Sequence, residues 1–137
     1  MLHDTAEKVR LEFVTLLASV KPIKSIKFYD ISPVEHLLAR LAIDHALSKK
    51  ITELLLNSYF PHTKEGSEQV KRCLVLVKAN AKSAEVFYSQ VPNFAPVSAV
   101  CKFLGYLHKY VIKSIRRKQE KENGKILIYF RYIKIYC

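Results

Sequence analysis

Glycine and proline are scarce, 3 and 5 in 137 residues. So few cannot supply the turns of a β-sandwich or a small β-barrel. No glycine-rich run is present to cradle the phosphates of a nucleotide. Acidic residues are also few, 12 against 23 Lys and Arg, which leaves a net charge of +11. An excess of that size favours polyanionic partners such as nucleic acid or an anionic membrane surface. Only three cysteines occur, Cys73, Cys101 and Cys137, spaced by 28 and 36 residues. An odd count without a C-x-x-C pair excludes a disulfide framework and a thiolate zinc site, and fits a reducing compartment. Long apolar runs are missing too. The tract Ile126 to Phe130 stops at Arg131, far short of the roughly 18 residues that read as a membrane helix. The opening Met1-Leu2-His3-Asp4, with Glu7 soon after, lacks the basic-then-apolar pattern expected of a secretory signal.

What remains is a chain that is 50% hydrophobic and 26% charged, a composition that excludes disorder. Its length suits one core, or about three helical repeats of roughly 40–47 residues. Val9, Phe13, Leu16, Leu17 and Val20 fall on one face of a helix from Asp4 to Val20, which Asp4 and Thr5 can cap and Lys21-Pro22 ends. After a short piece from Ile23 to Tyr29, Ser32-Pro33 opens a second helix, with Ser32 as cap and Pro33 at the first helical position. Val34, Leu37, Leu38, Leu41 and Ala42 are its apolar positions. Further helices follow over Ser48–Tyr59, Ser67–Lys78 and Ala81–Gln90, with Asn80 breaking and recapping the chain between the last two. Pro96-Val97-Ser98 opens the longest helix, which runs to about Glu120 before Asn123-Gly124 stops it. From Lys125 to Cys137 the chain changes to Ile, Leu, Tyr and Phe, a strand-type composition.

The expected fold is therefore all-α: antiparallel helix pairs in a row, forming a short α-solenoid, with an atypical hydrophobic tail. Residues 1–122 form the helical repeats and residues 123–137 the tail.

Charge is uneven along this framework. Residues 1–60 hold 8 basic and 7 acidic side chains, whereas residues 61–119 hold 11 and 3. On the long helix Val100, Leu104, Leu107, Val111 and Ile115 share one direction, and Lys102, Lys109, Lys113, Arg116 and Arg117 gather opposite. A solvated face explains such a stripe; contact with phosphates is the sharper reading. The residues expected to meet DNA are Lys102, Lys109, Lys113, Arg116, Arg117 and Lys118, with Lys71, Arg72, Lys78 and Lys82 behind them.

Chemistry is not indicated elsewhere. The five histidines (His3, His36, His45, His62, His108) form no H-E-x-x-H, so surface or capping roles are expected, with no metal and no cofactor. Cys73 and Cys101 read as small buried hydrophobes, since neither has a base at hand. Tyr59, Phe60, Phe87, Tyr88, Phe103, Tyr106 and Tyr110 read as fillers of the core or of repeat interfaces.

Two features of the chain resemble a known family. Asp4-Thr5-Ala6-Glu7-Lys8-Val9-Arg10 resembles the second helix of a HEAT repeat, which implies a polar ladder built from Asp4 and Arg10. Pro33-Val34-Glu35-His36-Leu37-Leu38-Ala39-Arg40-Leu41, Asn57-Ser58-Tyr59-Phe60-Pro61, and Arg72-Cys73-Leu74-Val75-Leu76 followed by Asn80, Ala84, Phe87 and Tyr88 are similar in order and spacing to the G-type HEAT subunits of condensin II. The resemblance covers roughly residues 3–118; the tail after Glu122 has no counterpart in it. It implies a non-enzymatic scaffold of the nucleus and chromosome, which binds the kleisin and other condensin subunits, touches duplex DNA and no membrane, and helps compact mitotic chromosomes. The alternative is a general helical protein-interaction scaffold whose charge only keeps it in solution.

Overall fold

The computed structural model describes residues 1–118 and Arg131. Among the described residues it is all helical: α1 (Glu7–Val20), α2 (Phe28–Ile31), α3 (Val34–Ile43), α4 (Ser48–Tyr59), α5 (Gly66–Ala79), α6 (Ala81–Gln90), a 3-10 turn (Val91–Asn93) and α7 (Val97–Arg117). The strand-type expectation for 125–137 lies outside the described residues, Arg131 excepted. So does the expected stop at Asn123-Gly124. Helix α7 ends at Arg117, where the Lys118 N–H closes the final turn on the Ser114 carbonyl at 3.0 Å.

Short connectors keep sequence neighbours in contact, α3 on α4 and α5 on α6. Each pair then meets the next: α1 lies on α4, α4 also on α5 and α6, α3 on α6, and α7 on α5. This is the arrangement of a short helical solenoid. The core runs through it without a break, from Val14 and Leu17 through Leu37, Leu41, Ile51 and Leu55 to Leu76, Phe87, Leu104 and Leu107. Where α4, α6 and α7 converge it is aromatic. Phe60 meets Phe103 edge-on at 5.3 Å, Phe103 stacks on Tyr88 at 5.4 Å, and Phe87 stands edge-on to Tyr88 at 4.9 Å. The Tyr88 hydroxyl donates to the Tyr59 carbonyl at 2.9 Å, so the cluster's polar tip is satisfied. The expected filler role holds for these rings; Tyr106 and Tyr110 stay partly in water.

Local chemistry explains the boundaries. The Asn80 side chain accepts from the Ser83 N–H at 3.1 Å, making the one-residue break between α5 and α6 a true N-cap. The Ser83 hydroxyl in turn donates to the Leu38 carbonyl, so a buried polar group ties α6 to α3. Elsewhere the caps depart from expectation. At α3 the cap position is Pro33, not Ser32, and no side chain caps the helix. At α1 the Asp4 carboxylate accepts from the Ala6 N–H at 2.8 Å, one residue before the helix proper. Helix α1 is also rotated from its expected face. Val14 and Leu17 are the buried pair, while Leu16 is 52% exposed. The reason is that α1 touches little more than α4 and α2, so its apolar stripe is covered on one flank alone.

Candidate nucleic-acid interface

Helix α7 carries the site. It inserts Val100, Phe103, Leu104, Leu107 and Val111 into the core. That anchoring fixes its rotation and turns Lys102, Lys109, Lys113, Arg116 and Arg117 outward, and Lys118 follows at the C-cap; all six are exposed. The helix has no acidic residue, and no carboxylate among the described residues pairs with these six cations. Arg116 and Arg117 also sit in the last turn, where the helix dipole favours positive charge. His108, Lys109, Ile112, Lys113 and Arg116 line a shallow hollow of about 430 Å³ along the same face.

The supporting cations divide into two sets. Lys71 and Lys78 on α5 face Lys109 across a groove. Arg72 and Lys82 have protein partners instead. Arg72 Nε donates to Glu68 at 2.7 Å and its Nη1 to the Ser58 carbonyl at 3.2 Å, pinning α5 to the end of α4. The hydrogen bond from Arg72 holds the Glu68 carboxyl below its ordinary value. Lys82 lies 3.6 Å from Glu85, which Arg131 also approaches at 3.8 Å.

Arg10 and Asp4 meet only through the main chain, Arg10 Nη1 donating to the Asp4 carbonyl at 2.9 Å and to that of Thr5 at 3.1 Å. The carboxylate opposite Arg10 belongs to Asp44, 34 residues away, which accepts from Arg10 Nε at 2.6 Å. Arg40 approaches the same Asp44 oxygen at 4.0 Å. A polar rung thus joins α1 to the α3–α4 corner through a residue that the sequence pattern did not single out.

The cysteines differ from each other. Cys73 is fully buried, and burial pushes its thiol up to about 12. Cys101 is exposed, because α7 turns it away from the seam that holds Leu104 and Leu107, and this corrects its expected burial. Among the described residues no three of His, Cys, Asp and Glu gather where a metal ion could be held, and no helix is long and apolar enough to cross a membrane.

Stacked helices around a continuous core, with a charged face offered outward, define a short helical-repeat array. Comparison with known proteins sharpens this class. The chain is 34% identical over 122 residues to condensin-2 complex subunit G2 of Danio rerio, a match that covers 88% of this chain and 11% of that protein. Identity to the Xenopus laevis subunit G2 is 33% over 117 residues, covering 85% and 10%. For the Homo sapiens subunit it is 30% over 132 residues, covering 90% and 12%. Over this stretch the chain belongs to the family of the condensin-2 G2 subunits, and it spans about a tenth of the length of the curated relatives it matches. No family model and no solved structure matches it.

Proposed function

We propose that the chain is a non-catalytic scaffold segment of a condensin II complex, active in the nucleus on mitotic chromosomes. In this reading it engages the kleisin and other condensin subunits and meets duplex DNA through the outer face of α7. Residues 1–122 are the repeat unit, and residues 123–137 are an appendage to it. The relatives' name, a subunit of a condensin-2 complex, supports the assembly. The observation that carries the DNA contact is the stripe itself: five exposed cations, Lys102, Lys109, Lys113, Arg116 and Arg117, on one core-anchored helix with no acidic residue. Lysine and arginine so placed neutralise phosphates and read no base edges.

The test is fluorescence anisotropy with a labelled duplex at several salt concentrations. Lys102, Lys109, Lys113, Arg116 and Arg117 together give an expected log–log salt slope of about −4 to −5, with no sequence preference. Changing Lys109, Lys113, Arg116 and Arg117 to Glu abolishes binding. Unchanged affinity in that variant would refute the DNA contact and leave an interaction scaffold whose charge serves solubility.

A further inference from the structure

An open groove of about 460 Å³ runs between α5 and α7. Its apolar surface comes from Val70, Leu74 and Val75 on α5 and from Tyr106 and Tyr110 on α7. Three of these side chains remain substantially in water, Val75 at 49%, Tyr106 at 37% and Tyr110 at 38%. Among the described residues the cations on the rim are Lys71, Lys78 and Lys109, and no carboxylate lines the groove. Gly66 shapes one end. A Cβ there would stand 2.6 Å from the Tyr106 ring, so the ring can close over the start of α5 only because the residue has no side chain. From Ser67 to Lys78 the α5 wall is roughly 16 Å long, about three helical turns.

We propose that this groove docks an acidic amphipathic helix from a protein partner. Its dimensions suit a helix that seats apolar side chains at i, i+4 and i+7 along the α5–α7 seam. Charge selects the flanks: with lysines on the rim and no acid in the lining, carboxylates on the incoming helix gain partners and lose none. The same charge argues against the chain's own tail, since residues 120–137 hold 4 basic and 2 acidic side chains. A second copy, at +11, is likewise repelled. Duplex DNA would satisfy the lysines, yet its backbone has no apolar side groups to cover Val75, Tyr106 and Tyr110. The inference stands on the groove alone and does not rest on the DNA contact proposed above.

The experiment is fluorescence anisotropy of the full chain with a labelled synthetic helix carrying Leu, Phe and Leu at i, i+4 and i+7 and Glu on its flanks. Two further helices serve as comparison, one with the three anchors changed to Ser and one with each Glu changed to Lys. The first helix should bind at least tenfold tighter than either. Val75→Ser and Tyr106→Ser, at partly solvated positions, should each weaken it about tenfold, as should Lys71→Glu with Lys78→Glu. Lys49→Glu, exposed on α4, should leave binding unchanged, and Val75→Ser should leave duplex binding unchanged. Equal binding of the Ser-anchored helix, or no binding of the first, would overturn the proposal. A Val75→Ser variant that loses duplex DNA as strongly as the helix would assign the groove to nucleic acid. A dimer in sedimentation that Val75→Ser dissociates would assign it to a second copy, and tighter helix binding in a full chain carrying Phe130→Ser would assign it to the tail; each of these also overturns the proposal.

Discussion

The rung between α1 and the α3–α4 corner makes a quantitative prediction. Asp44 is nearly buried, with its side chain 6% exposed, and it holds Arg10 Nε at 2.6 Å, whose own side chain is 14% exposed. Replacing Asp44 by Leu strands a guanidinium that is largely out of water. Breaking a buried pair from one side costs about 3–5 kcal/mol. Here the value falls near the lower end, because Arg10 keeps two acceptors in the carbonyls of Asp4 and Thr5. Arg10→Met leaves Asp44 with Arg40 alone, at 4.0 Å, and should cost roughly 2–3 kcal/mol. The double variant Arg10→Met, Asp44→Leu removes both charges and substitutes apolar volume. It should therefore lie within about 1 kcal/mol of the parent, leaving a coupling of roughly 4 kcal/mol between the sites. For a chain of this size roughly 4 °C of melting temperature accompanies each kcal/mol, so Asp44→Leu should melt about 12 °C low and the double variant near the parent. Thermal melts by far-UV circular dichroism, with urea midpoints beside them, decide the matter. Additive losses in the double variant, or single variants melting within about 2 °C of the parent, would show that the rung is a surface ion pair of little consequence.

The thiols give a second expectation. With Cys73 fully buried and its thiol raised to about 12, a maleimide at neutral pH should modify Cys101 in the native protein and reach Cys73 only after denaturation. Peptide mapping that finds Cys73 labelled as fast as Cys101 would contradict the packing around it. Deleting residues 123–137 should raise solubility without lowering helix content, since the segment is rich in Ile, Tyr and Phe with three cations among the residues from Lys125 onward. A lower melting temperature with lost helicity in the shortened chain would make the tail part of the core.

Most of the framework could be read from the sequence because it is written in local terms. Helix α7 alternates core and cationic positions at helical spacing over 21 residues, and the expected seam of Val100, Leu104, Leu107 and Val111 is buried in the structure. Asn80 announces its cap within three residues. The failures belong to contacts between distant parts. Nothing near Arg10 marks Asp44 as its partner 34 residues on. Leu16 and Val14 are equally apolar, and only the placement of α4 against one flank of α1 decides which is covered. Val75 is apolar and Tyr106 reads as a filler, and their exposure appears only when the groove between α5 and α7 is seen. The candidate site follows the same division. Its cations are identifiable one by one, and the local spacings Glu68–Arg72 and Lys82–Glu85 already set Arg72 and Lys82 apart, whereas the meeting of Lys71 and Lys78 with Lys109 across a groove depends on how α5 packs on α7.

Among the described residues helix α4 touches α1, α3, α5, α6 and the 3-10 turn, whereas α1 packs chiefly on α2 and α4 and buries Val14 and Leu17. Cooperative protection is therefore graded along the row. Amide protons of α1 should exchange with solvent through a local opening that releases the first helix alone, at a cost close to that of the Arg10–Asp44 rung and two apolar side chains. Those of α4 should exchange only when the whole array unfolds. A chain built this way can yield at one end while its centre holds, so a partner could peel or reseat the first helix without melting the helices that present the cationic face.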